Sequence, residues 1–158
     1  MLQIKPNFFA KLLQLVCLTG IFFTSPVIAG EQDSLGKVRL TFTIVTSNQL
    51  AAEGEALFKS HAAWMKSTHQ HTGPKALLSY DVSKMAELTD STNLSSKPTG
   101  NTIFVLNEVY ESEAGVIDHF EQTPAWKDWP KFDAWMKKSK VTKVASAKII
   151  QSLTWSGK

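Results

Sequence analysis

The hydrophobic and polar positions of the chain repeat with two different periods, and these periods predict its secondary structure. Residues 37–45 alternate apolar with polar side chains, a pattern typical of a strand with one buried face. Residues 49–68 place apolar side chains at helical spacing, and Gly73 and Pro74 end this predicted helix. Three further strands are predicted from alternation or from runs of β-branched and aromatic residues: 76–82, 102–110 and 143–155.

A second helical region follows the third predicted strand. Ser112 is a suitable N-cap, and Glu113 in the first turn suits the helix dipole. Thr123 and Pro124 predict a second helix start, with Thr123 as its N-cap, and Pro130 predicts a kink or break. One face of the first of these helices carries residues at i, i+3, i+4 and i+7: Val116, His119, Phe120 and Thr123. A histidine therefore lies in the middle of a mostly apolar helical face.

The segment between the second and third predicted strands is polar. Serine, threonine, asparagine, lysine and proline dominate residues 83–101. A connection of this length is long for two neighbouring strands. We therefore expect either a flexible excursion or a functional lid.

The order of the predicted elements is β-α-β-β-α-β, which indicates an α+β fold of the ferredoxin-like, split β-α-β type. Such a chain forms one antiparallel sheet with its helices on one face. The opposite sheet face is predicted to be apolar and uncovered. Because a single layer cannot bury both sides of a sheet, we expect the protein to form a homodimer.

The N-terminal residues have the pattern of an export signal. Lys5 and Lys11 precede an apolar run, and Ala29 supplies the small residue at the end of an A-x-A-like cleavage site. We expect residues 1–29 to be a cleaved signal peptide, residues 30–36 a flexible lead-in and residues 37–155 the domain. The alternative is an uncleaved membrane anchor. A cleaved signal predicts a periplasmic or secreted protein that does not contact the membrane after cleavage.

Removing the predicted signal changes the charge and the cysteine content. The chain has 17 Lys+Arg and 14 Asp+Glu, and the signal contains two of the lysines, so the remaining charge is 15 − 14 = +1. This balance does not indicate a nucleic-acid partner. The single cysteine, Cys17, lies in the signal, which excludes disulfides and cysteine-ligated metals from the predicted domain.

The third strand and the helix after it resemble the antibiotic biosynthesis monooxygenase family of small dimeric α/β-barrel proteins. The matching features are Glu108 and Tyr110 at the end of the strand, an acidic helix cap at residues 111–113, an inward His119 and the Thr123-Pro124 restart. The resemblance implies a dimeric α/β barrel and a cofactor-independent monooxygenase acting on a quinol or another aromatic molecule. The alternative function is a non-catalytic binding or stress protein that sequesters a hydrophobic metabolite.

Three residues are candidates for catalysis. The resemblance implies that His119 is the base, that Glu108 orients it and that Tyr110 is a cavity wall. An imidazole titrates near neutrality and suits proton transfer from a phenol or hydroquinone. Each residue also has a structural alternative: His119 as a core histidine bonded to a carbonyl or to Tyr110, and Glu108 as a surface carboxylate paired with a lysine.

Aromatic and polar side chains elsewhere are candidates for substrate binding: His61, Trp64, Phe120, Trp129 and Asn107. Asn107 faces either the helices or the dimer side, depending on strand register. His61 and His69 at helical spacing, or the pair His69 and His71, could ligate a metal. No third ligand follows at a fixed spacing, so no metal is expected, and His69 and His71 are expected to be solvated. The chain has no glycine-rich phosphate loop or dinucleotide fingerprint, so no cofactor is expected.

Overall fold

The computed structural model describes residues 34–153. The predicted signal peptide and residues 154–155 of the predicted last strand lie outside the described residues. The chain forms four strands and three α-helices in the order β1 (Val38–Ser47), α1 (Ala51–Thr68), β2 (Leu77–Leu88), β3 (Pro98–Tyr110), α2 (Glu113–Gln122), α3 (Trp129–Lys137) and β4 (Lys140–Lys148). Short 3-10 turns at Asn48–Leu50 and Thr123–Ala125 precede α1 and α3.

The strands form one antiparallel sheet in the order β2-β3-β1-β4. The central strands β1 and β3 pair from Val38 opposite Tyr110 to Ser47 opposite Asn101. This order and the helical connections confirm the predicted ferredoxin-like α+β fold, an antiparallel sheet with helices on one face.

Alternation along the two central strands determines which sheet face is buried. In β1 the side chains of Val38, Leu40, Phe42 and Ile44 are buried. Opposite them in β3 lie Tyr110, Glu108, Leu106 and Phe104, also buried. These residues form one core with the apolar side chains of all three helices, so the helices cover this face.

The segment at residues 83–101 is neither a flexible excursion nor a lid. Strand β2 continues to Leu88 and β3 begins at Pro98, so most of the segment is a long hairpin. A polar loop, residues 89–97, connects the strands, and in it Asp90 Oδ1 accepts a hydrogen bond from the Thr92 N–H at 2.9 Å. The prediction failed because residues 83–86 of this edge strand are exposed and lack an apolar pattern.

The predicted helix boundaries were partly correct. Ser112 caps α2, and its Oγ accepts a hydrogen bond from the Ala114 N–H at 3.2 Å. Thr123 is not an N-cap, because its backbone is helical and its hydroxyl donates to the His119 carbonyl oxygen at 2.7 Å. The predicted helix is interrupted, but before Pro130: residues 126–128 separate the 3-10 turn from α3, and Pro130 lies in the first turn of α3.

The opposite sheet face is covered by no element among residues 34–153. It is less apolar than predicted, because Thr41 pairs with Asn107 and Thr43 pairs with Val105 on this face. Val144 on the same face is 50% exposed. Within the described part of the chain, no helix has the length and hydropathy to span a membrane.

Candidate functional site

A cavity of about 240 Å³ lies between the sheet and the helices. Most of its lining is apolar or aromatic, with two histidines, a threonine and a lysine: Phe42, His61, Leu106, His119, Phe120, Thr123, Pro124, Trp126, Trp129, Phe132, Met136 and Lys143. An apolar cavity with a few polar groups is the usual form of a small-molecule site.

Local sequence features place the cavity walls. Strand alternation directs Phe42 and Leu106 toward the helices, where both are buried. Helix α2 lies close to β3 because Gly115 has no side chain: a Cβ there would be 2.7 Å from Tyr110 Cδ1. Trp126 is held by a hydrogen bond from its Nε1 to Ser60 Oγ at 3.2 Å.

His119 belongs to a chain of hydrogen bonds that runs from exposed Thr68 to the buried histidines, and from this chain we assign its tautomer. The Thr68 hydroxyl donates to the Trp64 carbonyl oxygen at 2.8 Å, so Thr68 Oγ1 accepts from His69 Nδ1–H at 3.0 Å. The remaining nitrogen of His69, Nε2, then accepts from His119 Nδ1–H at 3.1 Å. His119 is left with an unprotonated Nε2 on a ring that lines the cavity.

His61 has the same tautomer for a similar reason. We assign the Tyr80 hydroxyl as the donor to the Phe58 carbonyl oxygen at 3.4 Å, and His61 Nδ1–H as the donor to Tyr80 at 3.2 Å. The His61 and His119 rings meet edge to face with centroids 5.6 Å apart. Two imidazoles with Nε2 lone pairs therefore lie side by side at the cavity.

Glu108 lies beside these histidines and is fully buried. Its Oε2 accepts a hydrogen bond from the Tyr110 hydroxyl at 2.5 Å and lies 3.9 Å from His119 Nδ1. Its Oε1 has no hydrogen-bond partner among the described residues. A buried carboxylate oxygen without a partner is uncommon, because its desolvation is not compensated.

Burial determines the charge states of the cluster. It lowers the pKa of His61 and of His119 to about 3, with smaller contributions from the neighbouring histidines, and it also lowers the pKa of His69. Burial raises the pKa of Glu108 to about 7, an effect that the Tyr110 hydrogen bond partly offsets. The histidines are thus neutral near pH 7, and neutral His119 can accept a hydrogen bond at Nε2.

The structure brings four of the predicted site residues to the cavity and a fifth to the side of His119. His61, His119, Phe120 and Trp129 line the cavity, and Glu108 lies beside His119. The surface alternative for Glu108 is wrong, because the side chain is fully buried and no lysine within residues 34–153 pairs with it.

Three predicted positions are corrected. Asn107 lies on the opposite sheet face, where its side chain bonds Thr41 and Asp81, because the register directs it away from the helices. Tyr110 is not a cavity wall, since its hydroxyl is used by Glu108 and its ring packs under α2. Trp64 does not line the cavity; its ring packs against His61 and His119, with centroids about 5.5 Å away.

Two basic residues of the site were missed, together with cavity-lining side chains such as Leu106, Trp126 and Phe132. His69 was expected to be solvated but is 6% exposed and bonds His119. Its spacing from His61 and buried Met65 along α1 was the available signal. Lys143 lines the cavity with its Nζ 4.8 Å from the centroid of the Phe42 ring; alternation with Val141 along β4 could have identified it. His71 is exposed, as expected.

A metal could be held by a set that the sequence did not suggest. One ligand atom from each of His61, Glu108 and His119 lies within 4.8 Å of the other two. The histidine pairs considered from the sequence do not form such a group within residues 34–153, where His71 is exposed.

Comparisons with known proteins add little to this geometry. Neither a protein-family model nor a curated protein matches the sequence. A solved structure described as a dimeric ferredoxin-like protein from an uncultured marine organism is similar to the chain, with 14% sequence identity and a TM-score of 0.48. The similarity covers 74% of this chain and 99% of that one. At this TM-score the fold assignment rests on the strand order and register of the chain itself.

Proposed function

We propose that the protein binds a small aromatic molecule of the quinol type in the cavity between its sheet and its helices. The observation that carries this proposal is the position of His119, whose unprotonated Nε2 belongs to a ring lining an otherwise mostly apolar cavity. An aromatic body would pack against Phe42, Trp126 and Trp129, while a hydroxyl of the ligand would donate to His119 Nε2.

The cavity volume limits the size of the ligand. A cavity of about 150 Å³ holds benzene. A cavity of about 240 Å³ therefore suits a ligand of one or two rings. Lys143 adds a cation that favours ligands carrying a phenolate or another anionic group.

The proposed reaction follows the cofactor-independent monooxygenases that the chain resembles. His119 Nε2 takes the proton of a ligand hydroxyl, so the O–H bond breaks and an N–H bond forms. The electron-rich anion that remains reacts directly with dioxygen. Glu108, 3.9 Å from His119, would stabilise the imidazolium formed in this step.

A second candidate is a non-catalytic binding protein that sequesters a hydrophobic metabolite. The mostly apolar lining favours it, because the Phe42, Leu106 and Phe132 contacts supply affinity without any reaction. In this case the ligand copurifies unchanged.

We also propose self-association through the open sheet face and export of the protein. The first is supported by the exposed Val144 and Met85 on the face that no described element covers. The second is supported by the charge and apolar pattern of residues 1–29. Light scattering of the purified protein tests the first, and N-terminal sequencing of protein from an exporting host tests the second.

The test of the function compares ligand binding with oxygen consumption. Tryptophan fluorescence measures binding of 1,4-naphthohydroquinone, and an oxygen electrode measures turnover against the spontaneous rate. The variant is His119→Ala, and the matched control is His71→Ala, which removes an exposed histidine outside the cavity.

Oxygen uptake that His119→Ala abolishes and His71→Ala retains supports the enzyme. Saturable binding without oxygen uptake supports the sequestering protein. Absence of binding by this probe and by one-ring and two-ring phenols overturns both.

A further inference from the structure

We propose that His61, Glu108 and His119 form a binding site for a divalent transition-metal ion beside the cavity. One nitrogen of each ring and one oxygen of the carboxylate lie within 4.8 Å of one another. The three side chains are 4%, 0% and 5% exposed, so the ligand atoms are almost completely shielded from bulk water. They come from α1, β3 and α2, three elements that the core holds in place.

The unpartnered oxygen of Glu108 is an independent indication of a missing cation. Among the described residues no hydrogen-bond donor reaches Oε1, and no lysine or arginine pairs with the carboxylate. Burying a carboxylate in this way is costly unless a positive charge or a donor compensates it. A bound metal ion would supply that charge at the position of Oε1.

The hydrogen bonds around the three ligands leave one lone-pair atom free on each of them. His61 uses Nδ1–H on Tyr80, and His119 uses Nδ1–H on His69. Both rings therefore keep an Nε2 lone pair, the form of histidine that binds metals. The Tyr110 hydroxyl holds Glu108 Oε2 at 2.5 Å and leaves Oε1 available.

The same hydrogen bonds form the outer shell that metal sites require. A metal-ligating histidine usually donates its second N–H to an oxygen or another acceptor, which fixes the ring and raises its basicity. Tyr80 performs this role for His61, and His69 performs it for His119. The chain of donors continues from His69 to Thr68 and to the Trp64 carbonyl oxygen, so both tautomers are set by the fold.

The ligand set indicates the class of metal. Two imidazoles and one carboxylate bind Fe²⁺, Mn²⁺, Co²⁺ or Zn²⁺ and leave coordination positions open. Two ligand atoms that lie about 2.1 Å from a tetrahedral ion are roughly 3.4 Å apart. A pair at the 4.8 Å limit must therefore approach by about 1.4 Å when the ion binds.

This inference goes beyond the proposed function and does not depend on it. A metal on His119 Nε2 would occupy the lone pair that the proposed base uses, so the metal-bound protein could not deprotonate a ligand through that atom. The oxygen assay is therefore run on protein treated with EDTA, and the metal titration is run without any aromatic ligand. Either proposal can fail while the other holds.

The experiment titrates EDTA-treated, dialysed protein with CoCl₂ and ZnCl₂. Visible absorption of bound Co²⁺ reports the coordination, and calorimetry gives the Zn²⁺ affinity and stoichiometry. We expect one ion per chain and intense d–d bands of low-coordinate Co²⁺.

Variants separate this site from surface binding. Glu108→Gln, which is nearly isosteric, and His61→Ala should each weaken Zn²⁺ binding at least about 100-fold, and Tyr80→Phe should weaken it about tenfold. His71→Ala is the matched control and should bind like the wild type, since this histidine is exposed. Circular dichroism and the urea midpoint show whether each variant is folded.

Two results would overturn the proposal. One is the absence of saturable binding in the wild type. The other is binding that a folded Glu108→Gln retains and His71→Ala loses, because this pattern assigns the ion to the surface.

Discussion

Replacing Gly54 by alanine tests how closely α1 packs on α3. An added Cβ would lie 2.4 Å from Cζ2 of Trp135 and 3.0 Å from its Cε2. The helix alone would favour the substitution, because alanine is better than glycine in a helix by about 1 kcal/mol. The two effects have opposite signs, and the structure decides which is larger.

The Trp135 ring has little freedom to move away. It is fully buried, donates from Nε1 to the Leu50 carbonyl oxygen at 3.1 Å, and packs against Phe58 and Phe132 with centroids 5.8 Å away. Overpacking a core in this way costs about 1–3 kcal/mol, and a 2.4 Å contact belongs at the upper end of that range. After subtracting the propensity gain, Gly54→Ala should destabilise the protein by about 1–2 kcal/mol.

Urea unfolding followed by tryptophan fluorescence measures this effect, and a double-mutant cycle identifies its cause. In a Trp135→Phe background the contacting indole atoms are absent, so adding Gly54→Ala should be neutral or stabilising by up to about 1 kcal/mol. Ala52→Gly on the exposed side of α1 is the control for propensity and should cost about 0.5–1 kcal/mol. If Gly54→Ala stabilised the wild type, or if its cost were the same in both backgrounds, the close packing of these helices would be refuted.

Three further predictions concern charge, capping and assembly. Burial raises the pKa of Glu108 to about 7, so the contribution of its protonated form to stability is present below the unfolded pKa and is lost as pH rises through 7. In EDTA, the free energy of unfolding of the wild type should fall by about 2–3 kcal/mol relative to that of Glu108→Gln between pH 5 and pH 8. A difference in urea midpoints that does not change with pH would contradict this. Ser112→Ala removes the cap of α2 and should cost about 1 kcal/mol in thermal or urea unfolding, whereas an unchanged midpoint would show that the cap contributes nothing. Val144→Asp places a charge on the open sheet face and should convert a dimer into monomers in light scattering, and an intact dimer would exclude this face as the interface.

The sequence predicted the fold because the fold depends on periodicity. The alternation of β1 and the helical spacing in α1 and α2 are local, and they were sufficient for the element order and the sheet. The polar end of the hairpin was misassigned because exposed strand residues such as Ser83 and Lys84 carry no apolar signal. The error therefore lies in the end of the sheet where the fewest apolar side chains are buried.

The site was predicted only in part, for a different reason. His119 was identifiable because it interrupts an apolar helical face, and Glu108 and Tyr110 because of their place in the strand. The contact between His69 and His119 joins residues 50 positions apart, and no local pattern reports such a pair. Asn107 was wrongly predicted to be a cavity residue. Which sheet face its side chain lies on depends on the strand register, and the sequence alone does not determine that register.

The position of His119 beside a ligand cavity is tested most directly by ¹⁵N NMR of histidine-labelled protein titrated with 1,4-naphthohydroquinone in EDTA. The ¹⁵N chemical shifts of the ring nitrogens report which nitrogen carries the proton and whether the ligand contacts the ring. The measurement needs no amino-acid substitution. We predict that His119 and His61 are neutral Nδ1–H tautomers at pH 7 and that their Nε2 resonances move on ligand addition while those of His71 do not. Ligand addition that moves only His71, or an Nε2–H tautomer at His119, would contradict the proposed site.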